Sequence, residues 1–132
     1  MRKLEAQIKK LLANGLITDF HSRYAAPVIF AKKPIATLRM CVDYCGLNKI
    51  TVKGRYLLPY IDDLLDKLHG GQSFTKLDLA SGYHQVRIHV DNCHKMAFIA
   101  PEGFYEYKVI LFGLANAPAA FMHLMHQILR PH

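Results

Sequence analysis

Asp78 is the residue whose setting most needs explaining. It sits in the run Phe74-Thr75-Lys76-Leu77-Asp78-Leu79, which reads as a strand able to enter a buried sheet. A carboxylate there is costly unless it is paired or holds a metal. A salt bridge to Lys76 or another basic side chain is one reading and a metal-ligand role is the other; spacing alone does not separate them. The neighbouring Ser81-Gly82-Tyr83 reads as a tight turn that sets an aromatic ring beside that carboxylate. Lys32, Lys33 and Arg39 form a second group. Cations on a projecting hairpin suit phosphate, with Arg engaging it bidentately and Lys acting as a point charge. Solvated edge charge that blocks strand aggregation is the plain alternative. The third group is Phe112-Gly113-Leu114-Ala115-Asn116-Ala117-Pro118, a turn of small residues ahead of a helix N-terminus. Its backbone N–H groups can meet an anion or a nucleotide, or the segment simply connects a strand to a helix.

The elements that must hold these residues follow from periodicity. Leu4, Ile8, Leu11 and Leu12 recur at helical spacing, with Lys3, Lys9 and Lys10 off the stripe, and Asn14-Gly15 supplies a left-handed stop. Residues 26–32 and 38–44 read as two strands of a hairpin, although Pro34-Ile35-Ala36-Thr37 lacks the usual turn chemistry. Pro59 opens a helix with Ile61, Leu64, Leu65 and Leu68, and Gly70 lies past its end. Val86, Ile88 and Val90 alternate with Gln85, Arg87 and His89, as in a strand with one wet face. Residues 97–100 and 105–111 form a strand pair split by Pro101-Glu102-Gly103. Asn116 and Pro118 open a last helix with Phe121, Leu124, Met125, Ile128 and Leu129 on one face. The mixed order of elements, without repeats or a linker, predicts an α+β fold in a single domain over residues 1–132.

Composition narrows the partners. The chain has 132 residues, 52% of them apolar, and 17 Lys and Arg against 10 Asp and Glu give a net charge of +7. Such a chain can build a core, and its positive balance suits a polyanion such as nucleic acid. No apolar run approaches the length of a spanning helix, so no membrane is expected. Lys9 and Lys10 interrupt the stretch behind Met1-Arg2-Lys3 that a signal peptide would need. Cys41, Cys45 and Cys93 make no disulfide framework and suit a reducing, intracellular compartment, cytoplasm and nucleus being indistinguishable. Zinc needs four convergent ligands, and a second pair after Cys41 and Cys45 would have to be His123 and His126, which have no cysteine near them. The cysteines are expected instead as buried small hydrophobes.

Taken in order, Arg39-Met40-Cys41-Val42-Asp43-Tyr44, Leu47-Asn48-Lys49, Leu77-Asp78-Leu79, Ser81-Gly82-Tyr83-His84-Gln85, and Phe112-Gly113-Leu114 with Asn116-Ala117-Pro118 form a pattern. It closely resembles the reverse transcriptase of gypsy-type long-terminal-repeat retrotransposons, over essentially the whole chain. The resemblance implies a partial right-hand polymerase, with residues to about 56 as fingers and residues from about 57 as palm with a returning fingers segment. It also implies nucleotidyl transfer by two Mg2+ ions, with an RNA template, a DNA primer or RNA–DNA hybrid, and deoxynucleoside triphosphates as partners. Asp78 matches the family's first metal-binding, catalytic aspartate. Tyr83 matches the aromatic gate under the sugar, and Lys32 and Arg39 match the fingers residues that clamp the triphosphate. Phe112 and Gly113 match the segment lying against nucleotide and template.

Several positions depart from the family. Tyr60-Ile61-Asp62-Asp63 mimics the Tyr-x-Asp-Asp hairpin that supplies the other two carboxylates, but it precedes Asp78, follows Pro59 and continues at helical spacing. It reads as the first turn of a helix, where acidic residues are favourable. The chain reaches His132 before the position of that hairpin. One carboxylate is a weak cage for magnesium, and this chain alone is expected not to polymerise DNA. Uncovered strand edges and apolar surface are expected too, and with them self-association or pairing with a longer polymerase chain. Pro34-Ile35-Ala36 replaces the family's Lys-Asp-Gly-like hairpin tip, and Cys45, Ala80 and Leu57 stand where Arg, Arg and Pro are usual. The basic fingers remain able to hold RNA or a hybrid through phosphates with little sequence preference.

Overall fold

The leucine and isoleucine stripe of the first turns folds as α1 (Arg2–Ala13), with Leu4 and Ile8 buried and Leu11 and Leu12 packed on the same core. Gly15, at φ 68°, ends it in the left-handed conformation expected of a helix stop. The computed structural model describes residues 2–20, 22–32, 34 and 38–130; Lys33 and residues 35–37 of the hairpin tip lie outside them. After α1 come β1 (Ile17–Asp19), β2 (Ala26–Lys32), β3 (Leu38–Val42), α2 (Cys45–Ile50), α3 (Ile61–Lys67), β4 (Ala97–Ala100), β5 (Gly103–Tyr107) and α4 (Ala117–Leu129). Two 3-10 helices, Gly82–Gln85 and Val90–Met96, lie between α3 and β4.

The strands form one sheet in the order β1-β5-β4-β2-β3. The expected hairpin is present: β2 and β3 run antiparallel, with Val28 opposite Val42 and Ala31 opposite Arg39. Strands β4 and β5 pair antiparallel, as do β1 and β5. The two groups join through a short parallel seam, Ala26 opposite Phe98 and Pro27 opposite Ile99. Because side chains alternate along a strand, Phe98, Ala100, Tyr105 and Tyr107 share a face, and they are buried with Ile17, Val42, Leu4 and Ile8. Phe98 stacks on Tyr105 at 5.7 Å across the β4–β5 pair and lies 5.2 Å from Tyr107. Tyr44, buried beyond β3, donates its hydroxyl to the Met96 carbonyl at 2.8 Å, and burial raises its phenol far above the ordinary range.

The sequence-based expectation fails where an element needs a neighbour. Residues 74–79 are exposed and do not form a strand, since no described strand lies beside them to take their backbone hydrogen bonds. Asp78 is therefore exposed, and the cost of burying a carboxylate does not arise. The alternation at residues 86–90 yields only an isolated bridge, Arg87 opposite Val109, before the chain turns into the second 3-10 helix. Helix α3 forms after Pro59 with Asp62 and Asp63 in its first turn, as expected of the Tyr-Ile-Asp-Asp mimic. None of its residues is buried, so its leucine stripe covers no surface among the described residues. The strand expected over 105–111 starts at Gly103 and stops at Tyr107. Of the cysteines only Cys93 is buried; Cys45 is exposed and Cys41 half-buried. Strand β1 and helix α2 are additions that no periodicity announced, three and six residues long.

Phe98 is completely buried at the centre of the sheet. Phe98→Ala is expected to cost about 3–5 kcal/mol of stability, read as a lowered urea midpoint.

Candidate functional site

The β2–β3 hairpin and the turn after β5 meet at Arg39. Its guanidinium lies 4.6 Å over the centre of the Phe112 ring, a cation–π contact. The Phe112 ring lies 4.6 Å from that of Tyr83, which meets Phe121 edge-on at 5.3 Å. A cavity of about 320 Å³ opens between Arg39, the turn at residues 81–84, Phe112 and Phe121.

Local backbone chemistry sets each ring. Ser81 enters the turn in the left-handed region at φ 48°, and the Gln85 amide donates to the Ala80 carbonyl at 3.1 Å across it. Gly82 lets the turn press on α4, since a Cβ there would lie 3.1 Å from the Phe121 ring. Gly113 holds φ 98°, which L side chains rarely adopt. Its carbonyl accepts from Asn48 Nδ2 at 2.6 Å, and Asn48 Oδ1 accepts from the Ala115 N–H at 2.9 Å. Asn116 answers from the other side, its Oδ1 accepting from the Gly54 N–H and its Nδ2 donating to the Val52 carbonyl, both at 2.9 Å. It makes no side-chain cap bond to α4; Ala117 and Pro118 begin the helix instead.

Arg39, Tyr83 and Phe112 thus come together, with Gly113 shaping the turn that carries Phe112. Lys32 is exposed at the end of β2. Neighbours on a strand alternate faces, so its side chain leaves the hairpin opposite the Ala31–Arg39 pair. Asp78 does not line the cavity. Periodicity assigns Phe121 to the core stripe of α4, whereas its ring edges the cavity, and His84 joins it there. Neither signal was in the sequence: an aromatic on a helix stripe and a histidine after a turn are both commonplace.

Among the described residues no three His, Cys, Asp or Glu side chains converge. Mg2+ takes near-octahedral oxygen, so these residues by themselves do not fit the ion pair of a polymerase.

Residues 30–132 match the family model of reverse transcriptase (RNA-dependent DNA polymerase). The chain belongs to the reverse transcriptase family. Its relatives include the retrovirus-related Pol polyprotein from transposon 297 of Drosophila melanogaster and the transposon Tf2-3 polyprotein of Schizosaccharomyces pombe, each 42% identical over 98% of this chain. This reverse transcriptase chain spans 13% of the first polyprotein and 10% of the second. Its fold matches the prototype foamy virus protease-reverse transcriptase at a TM-score of 0.83 and 26% identity, over 97% of this chain and 17% of that one. The foamy viral protease-reverse transcriptase in complex with an RNA/DNA hybrid matches at 0.83 and 20% identity, over 98% and 18%. The α+β architecture is accordingly part of a polymerase fold. Among the described residues no helix is long and apolar enough to cross a membrane.

Two predictions follow from the reverse transcriptase geometry. Asn48→Ala removes both bonds to the Gly113 turn and is expected to cost about 1–2 kcal/mol, measured by urea unfolding. His84 is held below the usual histidine range by burial first and then by the Arg39 charge. The unfolded chain therefore takes up this proton at higher pH than the native one. The stability so contributed is present above the ordinary histidine value and is lost as pH falls towards the native value. Wild type is expected to lose more stability than His84→Phe between pH 7.5 and about pH 5, in matched urea titrations.

Proposed function

We propose that this chain grips the incoming nucleotide and the RNA–DNA hybrid for RNA-directed DNA synthesis within a retrotransposon Pol polyprotein. The observation that carries the proposal is the stack of Arg39 on Phe112 and of Phe112 on Tyr83 around one cavity. Its size suits a small ligand, and it offers a bidentate cation at one end and aromatic faces along its wall. In this reading Arg39 clamps the triphosphate, and Lys32, which leaves the opposite face of the hairpin, takes no part in that clamp. Tyr83 lies under the sugar and opposes a 2′-hydroxyl, and Phe112 and Gly113 rest against nucleotide and template. Residues to about 56 are the fingers and the remainder is palm with a returning fingers segment. Asp78 is one ligand of the family's Mg2+ ions, with the other oxygens supplied from outside the described residues.

The lack of any convergent ligand set among the described residues favours binding over turnover by this chain alone. The net charge of +7 supports contact with phosphates of RNA or of a hybrid at little sequence preference. The exposed Leu65, Leu68, Phe74 and Leu77 support self-association or pairing with a longer polymerase chain. Three free cysteines support an intracellular, reducing setting.

Fluorescence anisotropy with a labelled RNA–DNA hybrid is expected to show affinity falling steeply with salt. Arg39→Ala is expected to weaken deoxynucleoside triphosphate binding about tenfold. Primer extension by wild type and Asp78→Asn is expected to be absent in both. Salt-insensitive or undetectable hybrid binding, with nucleotide affinity unchanged in Arg39→Ala, overturns the reading. Extension that disappears in Asp78→Asn overturns the binding-only part of it.

A further inference from the structure

His123 and His126 lie three residues apart on α4, both exposed, with His126 in the last turn of the helix. Residue pattern alone makes them metal ligands only as a second pair beside Cys41 and Cys45, and no such set converges among the described residues. Tyr56, from the segment between α2 and α3, stands with them instead. Its ring meets the His123 ring edge-on at 5.5 Å and lies 5.8 Å from the His126 ring. Its hydroxyl is hydrogen-bonded to His126 Nδ1, and His123 Nε2 pairs with Gln127 Nε2 at 3.1 Å. None of these four residues lines the nucleotide cavity.

Two features set this pair apart from scattered surface histidines. Each imidazole has one nitrogen held by a neighbour, while His126 Nε2 and His123 Nδ1 have no hydrogen-bond partner among the described residues. Metal-ligating histidines are oriented in this way, the held nitrogen carrying the proton and the other meeting the ion. The Tyr56 oxygen accepts as well as donates, and the Gln127 amide presents its oxygen after a half-turn. The second feature is that Tyr56 is itself positioned. Val52 and Gly54, on the same segment, are bonded through their backbone to Asn116 just ahead of α4. The phenol is therefore in place before any ligand arrives.

We propose that His123 and His126 form a site for a divalent transition-metal ion of the Zn2+ class, with Tyr56 as the residue that positions the rings. Residues three apart on a helix bring their Cβ atoms to about 5–6 Å, within the span of one ion about 2.0–2.1 Å from each imidazole nitrogen. Neutral imidazole suits Zn2+, Cu2+ or Ni2+ and not Mg2+, which takes oxygen. The site is thus separate from the metal centre of nucleotidyl transfer and does not rest on the nucleotide reading. The negative end of the α4 dipole favours a cation beside His126. Lys53 and Arg55, near Tyr56 in the chain, are exposed, where water and salt screen their repulsion. A bound ion holds the segment between α2 and α3 to α4, at the boundary that the family resemblance draws between fingers and palm.

Calorimetric titration of the untagged chain with ZnCl2 tests the site, with MgCl2 as the control. Wild type is expected to show a Zn2+ binding step that MgCl2 does not reproduce. Tyr56→Phe keeps the ring but removes the hydroxyl bonded to His126, and is expected to weaken that step about 10–100-fold. His123→Ala and His126→Ala, both at exposed positions of α4, are each expected to weaken it further. Hydrogen–deuterium exchange gives a second readout. Zn2+ is expected to slow exchange over residues 51–60 in wild type and to leave it unchanged in His123→Ala. Zn2+ affinity that survives in either histidine variant overturns the proposal. Affinity lost in the histidine variants but retained in Tyr56→Phe marks an adventitious ion only and overturns it too, as does exchange over residues 51–60 that Zn2+ leaves unaltered in wild type.

Discussion

Two residue pairs, Ala26 with Phe98 and Pro27 with Ile99, join the halves of the sheet. The placing of the hairpin against the turn after β5 depends on that seam. Arg39 comes from the β2–β3 hairpin, whereas Phe112 follows β5, and the register of β2 against β4 sets them within reach of each other. The seam is short, and Pro27 has no N–H to give it. It is braced by bonds that cross it: the Asp43 N–H donates to the Pro27 carbonyl at 2.9 Å, and the buried Tyr44 hydroxyl reaches the Met96 carbonyl. Phe98, fully buried on β4, fills the space beneath. The core thus acts as a jig that sets a charged hairpin against an aromatic turn.

The same division explains what the sequence disclosed. Helix α1, the β2–β3 hairpin and helix α4 are each announced by a local signal, a helical stripe or two adjacent β-rich runs, and each forms, although β3 stops at Val42, short of Tyr44, and Ile128 and Leu129 of the α4 stripe are exposed. Residues 74–79 carry an equally clear apolar pattern, yet a strand exists only with a partner, and none of the described strands reaches them. The leucines of α3 tell the same story for a helix. Asp78 is proposed as a site residue through the resemblance of its motif to a family, not through its burial, because the carboxylate is exposed. Strand β1 and helix α2 escaped because three and six residues are too few to display a period.

At the site, motif and geometry agree most closely where side chains contact one another directly. Arg39, Tyr83 and Phe112 lie far apart in sequence and form one stack, with Phe121 closing its far end. Lys32, assigned to the same task by resemblance, leaves the other side of its strand. Strand alternation decides that difference, and no count of basic residues could have revealed it.

Asn48 and Asn116 form a reciprocal clasp: each offers one donor and one acceptor to the backbone of the other's segment, across more than sixty residues of chain. Three of these four bonds lie at exposed positions, so the clasp adds little to hydrophobic collapse. It can close only after the sheet has brought its two segments side by side. In folding it is therefore a late latch rather than part of the nucleus. In the native state it is able to open and re-form on its own, while the buried face beneath it stays shut. The turn that carries Phe112 is thus held by a fastening that is independent of the frame it is fastened to.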